Sequence, residues 1–278
     1  MHRDSESMNH EQERTLVVAL GASNLSRGLS RLLKASRCCS SSAVDLVVAA
    51  GHGRSYGANS RIWKRSLPSI CESGLWRSLD RLLRSGVSKN SQRLAVITDI
   101  GNDLLYGFST EQLATWLEEV IHRLHQQQFN IIITKLPVES IESVGPFRFR
   151  FLKTFFVPGC RQSLEEIKEQ SRQVNDNIVH IAEKYQISVI EQPGSWYGLD
   201  AIHIRRSCLE DFWRRVVECW SEYKCDTNTH QETSLRSTWQ EWFRIGAASA
   251  EVRSLAGVML FTPQPAFQLG DATRVFLY

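Results

Sequence analysis

The sequence predicts an α/β protein, a three-layer α/β/α sandwich built around a five-stranded parallel sheet. Three observations carry this. Short runs rich in Val and Ile recur along the chain, longer amphipathic segments separate them, and the runs are nearly continuous in apolar residues. Continuous runs mark strands covered on both faces, and their alternation with helices marks βαβ units.

The strand runs are Thr15–Leu20, Val44–Ala50, Arg93–Thr98, Asn130–Thr134 and Ile187–Ile190. Between them, helices are expected near Leu25–Lys34, Leu75–Ser85, Thr110–Gln128 and Ser163–Tyr185. The last carries Glu and Gln early and Lys184 late, in keeping with the helix dipole. A further helix is expected over Ser207–Tyr223, with Ser207 as its N-cap. The polar segment 1–14 reads as disordered, 15–225 as the main domain, and 226–278 as a C-terminal extension. That extension opens with a polar linker, Asp226–Thr233, and its apolar runs Leu255–Phe261 and Val275–Tyr278 could add strands or a small cap.

Composition narrows the function. Lys and Arg number 33 against 30 Asp and Glu, a net charge of +3, and no stretch forms a basic tract. A nucleic-acid partner is therefore not expected. The seven cysteines match no zinc spacing and read as free thiols in a reducing compartment. The N-terminus lacks the apolar run of a signal peptide, and no apolar run is long enough to span a bilayer. A cytoplasmic chain with no membrane span, metal or cofactor is the expectation; nothing in the sequence speaks to oligomeric state.

In a parallel α/β sheet, ligands bind beyond the carboxyl ends of the strands. The first strand ends in Gly21-Ala22-Ser23-Asn24, a turn that exposes a hydroxyl where backbone N–H groups of the next helix point outward. The second runs into Gly51-His52-Gly53-Arg54-Ser55-Tyr56-Gly57, where glycines permit positive φ. The third is followed by Asp99-Ile100-Gly101-Asn102-Asp103, and the Asn102 amide could donate to a developing oxyanion. After the last comes Asp200-Ala201-Ile202-His203, a general base with a carboxylate three residues before it. Each set also has an ordinary use in turns and caps. Their common placement is what points to chemistry.

In this order of Ser, Gly, Asn and Asp-x-x-His, the chain resembles the SGNH hydrolase superfamily, the GDSL-like esterases and lipases. The resemblance covers roughly Leu16 to Tyr223 and implies a flavodoxin-like sandwich. It implies Ser23 as nucleophile, Asp200 and His203 as its partners, and an oxyanion hole of Ser23, Gly53 and Asn102. Gly51 is the second choice for the glycine. The chain departs from the family at Ala22, where the eponymous motif has Asp, at Asn24, where it has Leu, and at Ile100, where it has Gly. A small ester is the implied substrate, cleaved through an acyl-enzyme without a cofactor.

Arg54, Tyr56, Trp196 and Arg205 are candidate substrate-binding residues, and His52, Leu104 and Tyr106 are further candidates for lining the acyl or alcohol pocket. A transferase passing the acyl group to an alcohol would use the same residues, and a silent binding protein could carry them. A nucleotide-binding reading fails on motif. The first turn lacks the Lys-Ser/Thr of a phosphate loop, and Gly21 with Gly28 does not make Gly-x-Gly-x-x-Gly.

Overall fold

The computed structural model describes residues 13–38, 40–62, 65–84, 91–156, 160–198, 200–220 and 250–278. Segment 1–12, the 226–233 linker, Cys39, Cys225, Trp239 and Trp242 lie outside the described residues.

Strand β1 (Arg14–Leu20) leads into helix α1 (Ser23–Cys38) and strand β2 (Ala43–Ala49). A hairpin of β3 (Ser60–Ile62) and β4 (Arg65–Leu67) follows, then α2 (Leu75–Arg84), β5 (Arg93–Ile97) and the single-turn α3 (Asn102–Leu105). Next come α4 (Thr110–Gln126), β6 (Asn130–Thr134), α5 (Val138–Glu142), α6 (Pro146–Phe156), α7 (Leu164–Tyr185) and β7 (Ser188–Ile190). Helix α8 (Leu209–Trp220) precedes the tail strands β8 (Val252–Leu255), β9 (Val258–Phe261), β10 (Phe267–Gln268) and β11 (Arg274–Leu277). All five expected strands form, each end within a residue of its expected place.

Local chemistry explains where the long helices start. Ser109 with Gln112 and Ser163 with Glu166 form reciprocal capping boxes ahead of α4 and α7. The expected cap at Ser207 needs correction. Helix α8 begins at Leu209, and the first turn closes when the Phe212 N–H donates to the Cys208 carbonyl, leaving Ser207 exposed ahead of it.

The main sheet has the order β10-β11-β2-β1-β5-β6-β7, parallel except for β10. The five expected strands lie side by side as second, first, third, fourth and fifth, the flavodoxin-like order of doubly wound sheets. Seven strands replace the expected five because the tail returns and pairs β11 with the free edge of β2. The remaining tail strands join the hairpin in a small antiparallel sheet, β3-β4-β8-β9.

Alternate residues of β1 feed two cores, as the pleat requires. Leu16, Val18 and Leu20 pack toward Leu79 of α2, Leu117 of α4 and Ile178 of α7. Val17 and Ala19 pack toward Leu25 and Leu29 of α1 and Phe212 and Trp213 of α8. These are the three layers. One charge interrupts the apolar face of β2. Asp45 is fully buried and gripped by two arginines, with Arg14 Nε and Nη2 at 2.8 and 2.6 Å and Arg274 Nε and Nη2 at 2.8 and 2.6 Å. Burial alone would raise its pKa, but the hydrogen bonds and charges of Arg274 and Arg14 outweigh that and hold it below the usual carboxylate value. The clamp joins β1, β2 and the returning β11 at their amino ends. Among the described residues, no helix is long and apolar enough to cross a membrane.

Candidate active site

Neighbouring crossovers run in opposite directions at the β1/β5 boundary, so the loops after these two strands border a crevice. Ser23 stands on the β1 side, as the first residue of α1. Gly21 brings it there: a Cβ at that position would lie 2.8 Å from Thr98 Cγ2 and 3.2 Å from the Thr98 carbonyl oxygen. Only glycine allows the turn to press this closely on β5.

Asp99 fixes the turn from the β5 side. It adopts φ +58°, a left-handed conformation that Asp tolerates better than most residues. Its Oδ2 accepts the N–H groups of Ala22 and Leu25 at 2.9 and 3.0 Å, and its Oδ1 accepts from Asn24 Nδ2 at 2.7 Å. A carboxylate is thus set against the positive end of α1.

Asn24 carries the connection onward. Its Nδ2 also donates to the Ile202 carbonyl at 3.0 Å, and its Oδ1 accepts the Ile204 N–H at 2.9 Å. These two residues flank His203, so one amide holds the histidine loop against the first turn of α1. The loop is closed at its base by a bridge between Tyr197 and Ile204 and by the Arg205 N–H donating to the Trp196 carbonyl at 2.8 Å. Within it, Asp200 Oδ1 accepts the Ile202 N–H at 3.1 Å and Asp200 Oδ2 bonds His203 Nδ1. Burial pushes the Asp200 carboxyl up, but the His203 bond and charge and the backbone N–H groups of Ile202 and His203 prevail, so it stays below its ordinary value.

The loop after β2 is tied to α3. Asn102 Nδ2 donates to the Arg54 carbonyl at 3.1 Å, which leaves the second amide hydrogen for another acceptor. Tyr106 donates its hydroxyl hydrogen to the Gly53 carbonyl. Gly53 has φ +63°, where a side chain would be strained, whereas Gly51 is buried beneath Leu67. Behind them Asp103 is fully buried and accepts from the Ser55 hydroxyl and, at 3.1 Å, from the Tyr56 N–H. Burial pushes its carboxyl up to about 6, against the lowering effect of those bonds.

Ser23, Asn24, Asp99 and Asn102 line a cavity of about 110 Å³. Leu104, Leu136, Ile141, Val144, Phe149 and Ile167 make its walls apolar. Of the pocket candidates, Leu104 lines this cavity, while Arg54, Tyr56, Trp196 and Arg205 do not. Arg54 is fully buried beneath the loop, and its guanidinium donates to the carbonyls of Ala50, Pro68 and Tyr278, binding the loop to the tail. Tyr56 is also fully buried, its hydroxyl donating to the Thr98 carbonyl at 2.6 Å. Trp196 packs edge-on against Phe212, and the Arg205 guanidinium donates to the Ser195 carbonyl. His52 is exposed, while Leu104 is a cavity wall.

Asp99 and Asn24 hold the site together although no motif marks them in the sequence. Their signal was present: an Asp closing a strand beside a helix start, and an Asn inside the first turn.

No family model and no curated protein matches the chain. Among solved structures, it is similar to the psychrotrophic esterase EstA from Pseudoalteromonas sp., at 16% identity over 73% of this chain and 94% of that one, with a TM-score of 0.43. It is similar to the M. smegmatis aryl esterase at 10% identity over 73% and 97%, TM-score 0.47. It is also similar to AlinE4, described as an SGNH-hydrolase family esterase, at 16% identity over 64% and 76%, TM-score 0.37.

Proposed function

We propose that this chain is a serine esterase of the SGNH type, hydrolysing a carboxylic ester through an acyl-enzyme. The observation that carries the reading is the hydrogen-bonded path Asp99–Asn24–(Ile202, Ile204), which joins the Ser23 turn to the loop bearing the Asp200–His203 pair. A carboxylate on Nδ1 fixes the imidazole in the tautomer and orientation that a general base needs.

In this mechanism His203 Nε2 removes the proton from Ser23 Oγ as that oxygen attacks the ester carbonyl. Asp200 fixes the imidazole through Nδ1 and stabilises the imidazolium. The tetrahedral oxyanion takes hydrogen bonds from the N–H groups of Ser23 and Gly53 and from Asn102 Nδ2. Loss of one such donor typically costs about 3–4 kcal/mol of transition-state stabilisation. Collapse expels the alcohol, protonated by His203, and water activated by the same base releases the acid. The apolar cavity beyond Ser23 receives the acyl part.

The test is hydrolysis of p-nitrophenyl esters from acetate to octanoate by wild type and Ser23→Ala. Activity in the wild type that falls by about 10⁴-fold or more in the variant is expected for loss of a nucleophile. Equal rates in the two proteins, or no hydrolysis of any ester, would remove the reading.

A further inference from the structure

The cavity beside Ser23 shares a wall with a second depression. Phe149 and Lys153 of α6 and Leu164 of α7 line both spaces, whereas Ser23 lines the cavity alone. The second space is an open groove, and Arg150, Arg161, Glu165 and Glu166 are among its other lining residues. The three shared side chains thus divide an apolar interior from a charged exterior. Phe149 is half-buried and packs against the cluster of Val144, Leu164 and Ala201. Lys153 Nζ donates to the Gln162 carbonyl at 2.9 Å, and Gln162 lines the groove but not the cavity. The ammonium is therefore drawn toward the groove, 5.7 Å from the centre of the Phe149 ring, which leaves its methylene stem to line the cavity.

Volume adds a second constraint. An apolar cavity of about 150 Å³ accepts a benzene ring. By that measure a cavity of 110 Å³ holds about four carbons. We propose that Phe149, steadied by Lys153, sets the length limit of the acyl group. The cavity takes the carbons next to the ester carbonyl, and the ring stops the chain at the shared wall. A longer chain must displace the ring, and its end then enters the groove among charged side chains, where the gain from apolar burial is lost. The substrate class is an ester of a short acid, with butanoyl to hexanoyl groups preferred. This inference rests on the esterase reading, since it measures the acyl group from Ser23.

The experiment measures kcat/KM for p-nitrophenyl butanoate, hexanoate, octanoate and decanoate in wild type, Phe149→Leu and Phe149→Ala. Ratios are taken within one protein, so a general loss of activity cancels. Wild type should favour butanoate or hexanoate over decanoate by at least about tenfold. Phe149→Ala should raise the decanoate-to-butanoate ratio by at least about tenfold, and Phe149→Leu should raise it by a smaller factor. Thermal melting identifies the folded variants; if the alanine variant does not fold, the leucine variant and the wild-type profile decide. Ser23-dependent hydrolysis in which wild type cleaves decanoate as well as butanoate would overturn the proposal. So would a length profile unchanged in the folded Phe149 variants, which would leave the ring an ordinary packing residue. Hydrolysis of no ester, or hydrolysis that persists in Ser23→Ala, would instead remove the esterase reading and this inference with it.

Discussion

The two ends of the parallel sheet hold their carboxylates in opposite ways. At the amino ends, Asp45 sits between two bidentate arginines, Arg14 and Arg274. At the carboxyl ends, Asp99 and Asp103 are held by backbone N–H groups, an amide and a hydroxyl. The pKa directions follow: Asp45 lies below its ordinary value, and Asp103 is pushed up to about 6. Guanidinium groups neutralise a carboxylate and fasten strands together, here β1, β2 and β11. Amide and hydroxyl donors orient a carboxylate without cancelling its charge, and they let it position loops around a polar crevice. One end is a clamp and the other a jig.

Breaking the clamp gives the largest effect on stability. Asp45→Ala leaves the half-buried Arg14 and Arg274 facing each other without their carboxylate, and we expect it to lower the unfolding free energy by about 3 kcal/mol in chemical denaturation. Ester turnover per folded molecule should hardly change, since the clamp lies at the far end of the strands. A loss under about 1 kcal/mol would mean that β11 is held by packing and main-chain bonds alone.

Acid titration sharpens the contrast. An unfolded Asp titrates near 4, while folded Asp103 titrates at about 6. Between these values the folded chain binds more protons. The Asp103 contribution to stability therefore falls as pH rises from about 4 to 6, by up to roughly 3 kcal/mol, and is constant above. Asp45 acts with the opposite sign, because its folded value is depressed: its contribution is present above about pH 4 and lost as pH falls through the folded value. Asp103→Asn should thus flatten stability between pH 4 and 6, and Asp45→Ala should remove part of the acid limb. Parallel curves for wild type and Asp103→Asn across that window would contradict the assignment.

Asn24→Ala tests the jig and should cost less. It deletes the bonds to Asp99, Ile202 and Ile204, so His203 loses its register with Ser23 while every proposed reacting group remains. We expect kcat to fall by about 10- to 100-fold with KM little altered, as for small misplacements of reacting groups. A rise in KM at unchanged kcat would assign Asn24 to substrate binding instead.

The sequence carried the strands and their order of use well, because a buried parallel strand must be an unbroken apolar run and has few other readings. It also singled out Ser23, Asn102, Asp200 and His203, through their shared position after strands. What it could not convey was pairing across long separations. Asp45 in an otherwise apolar strand was a visible request for a cation, yet its partners lie 31 residues behind and 229 ahead. Without that pairing, Val275–Tyr278 could not be placed beside β2, and the main sheet was read as two strands too few. Arg54 and Tyr56 misled for a related reason. Adjacency to a glycine turn suggested a place at the substrate, but both side chains turn inward and donate to main-chain carbonyls.

The most direct measurement is intact-protein and peptide mass spectrometry after reaction with a fluorophosphonate, for wild type, Ser23→Ala and His203→Ala. A single phosphonyl adduct on the peptide containing Ser23 is expected, absent in Ser23→Ala and formed at least about 10²-fold more slowly in His203→Ala. A folded wild type that stays unmodified, or an adduct on another serine, would contradict the assignment of Ser23 as an activated nucleophile.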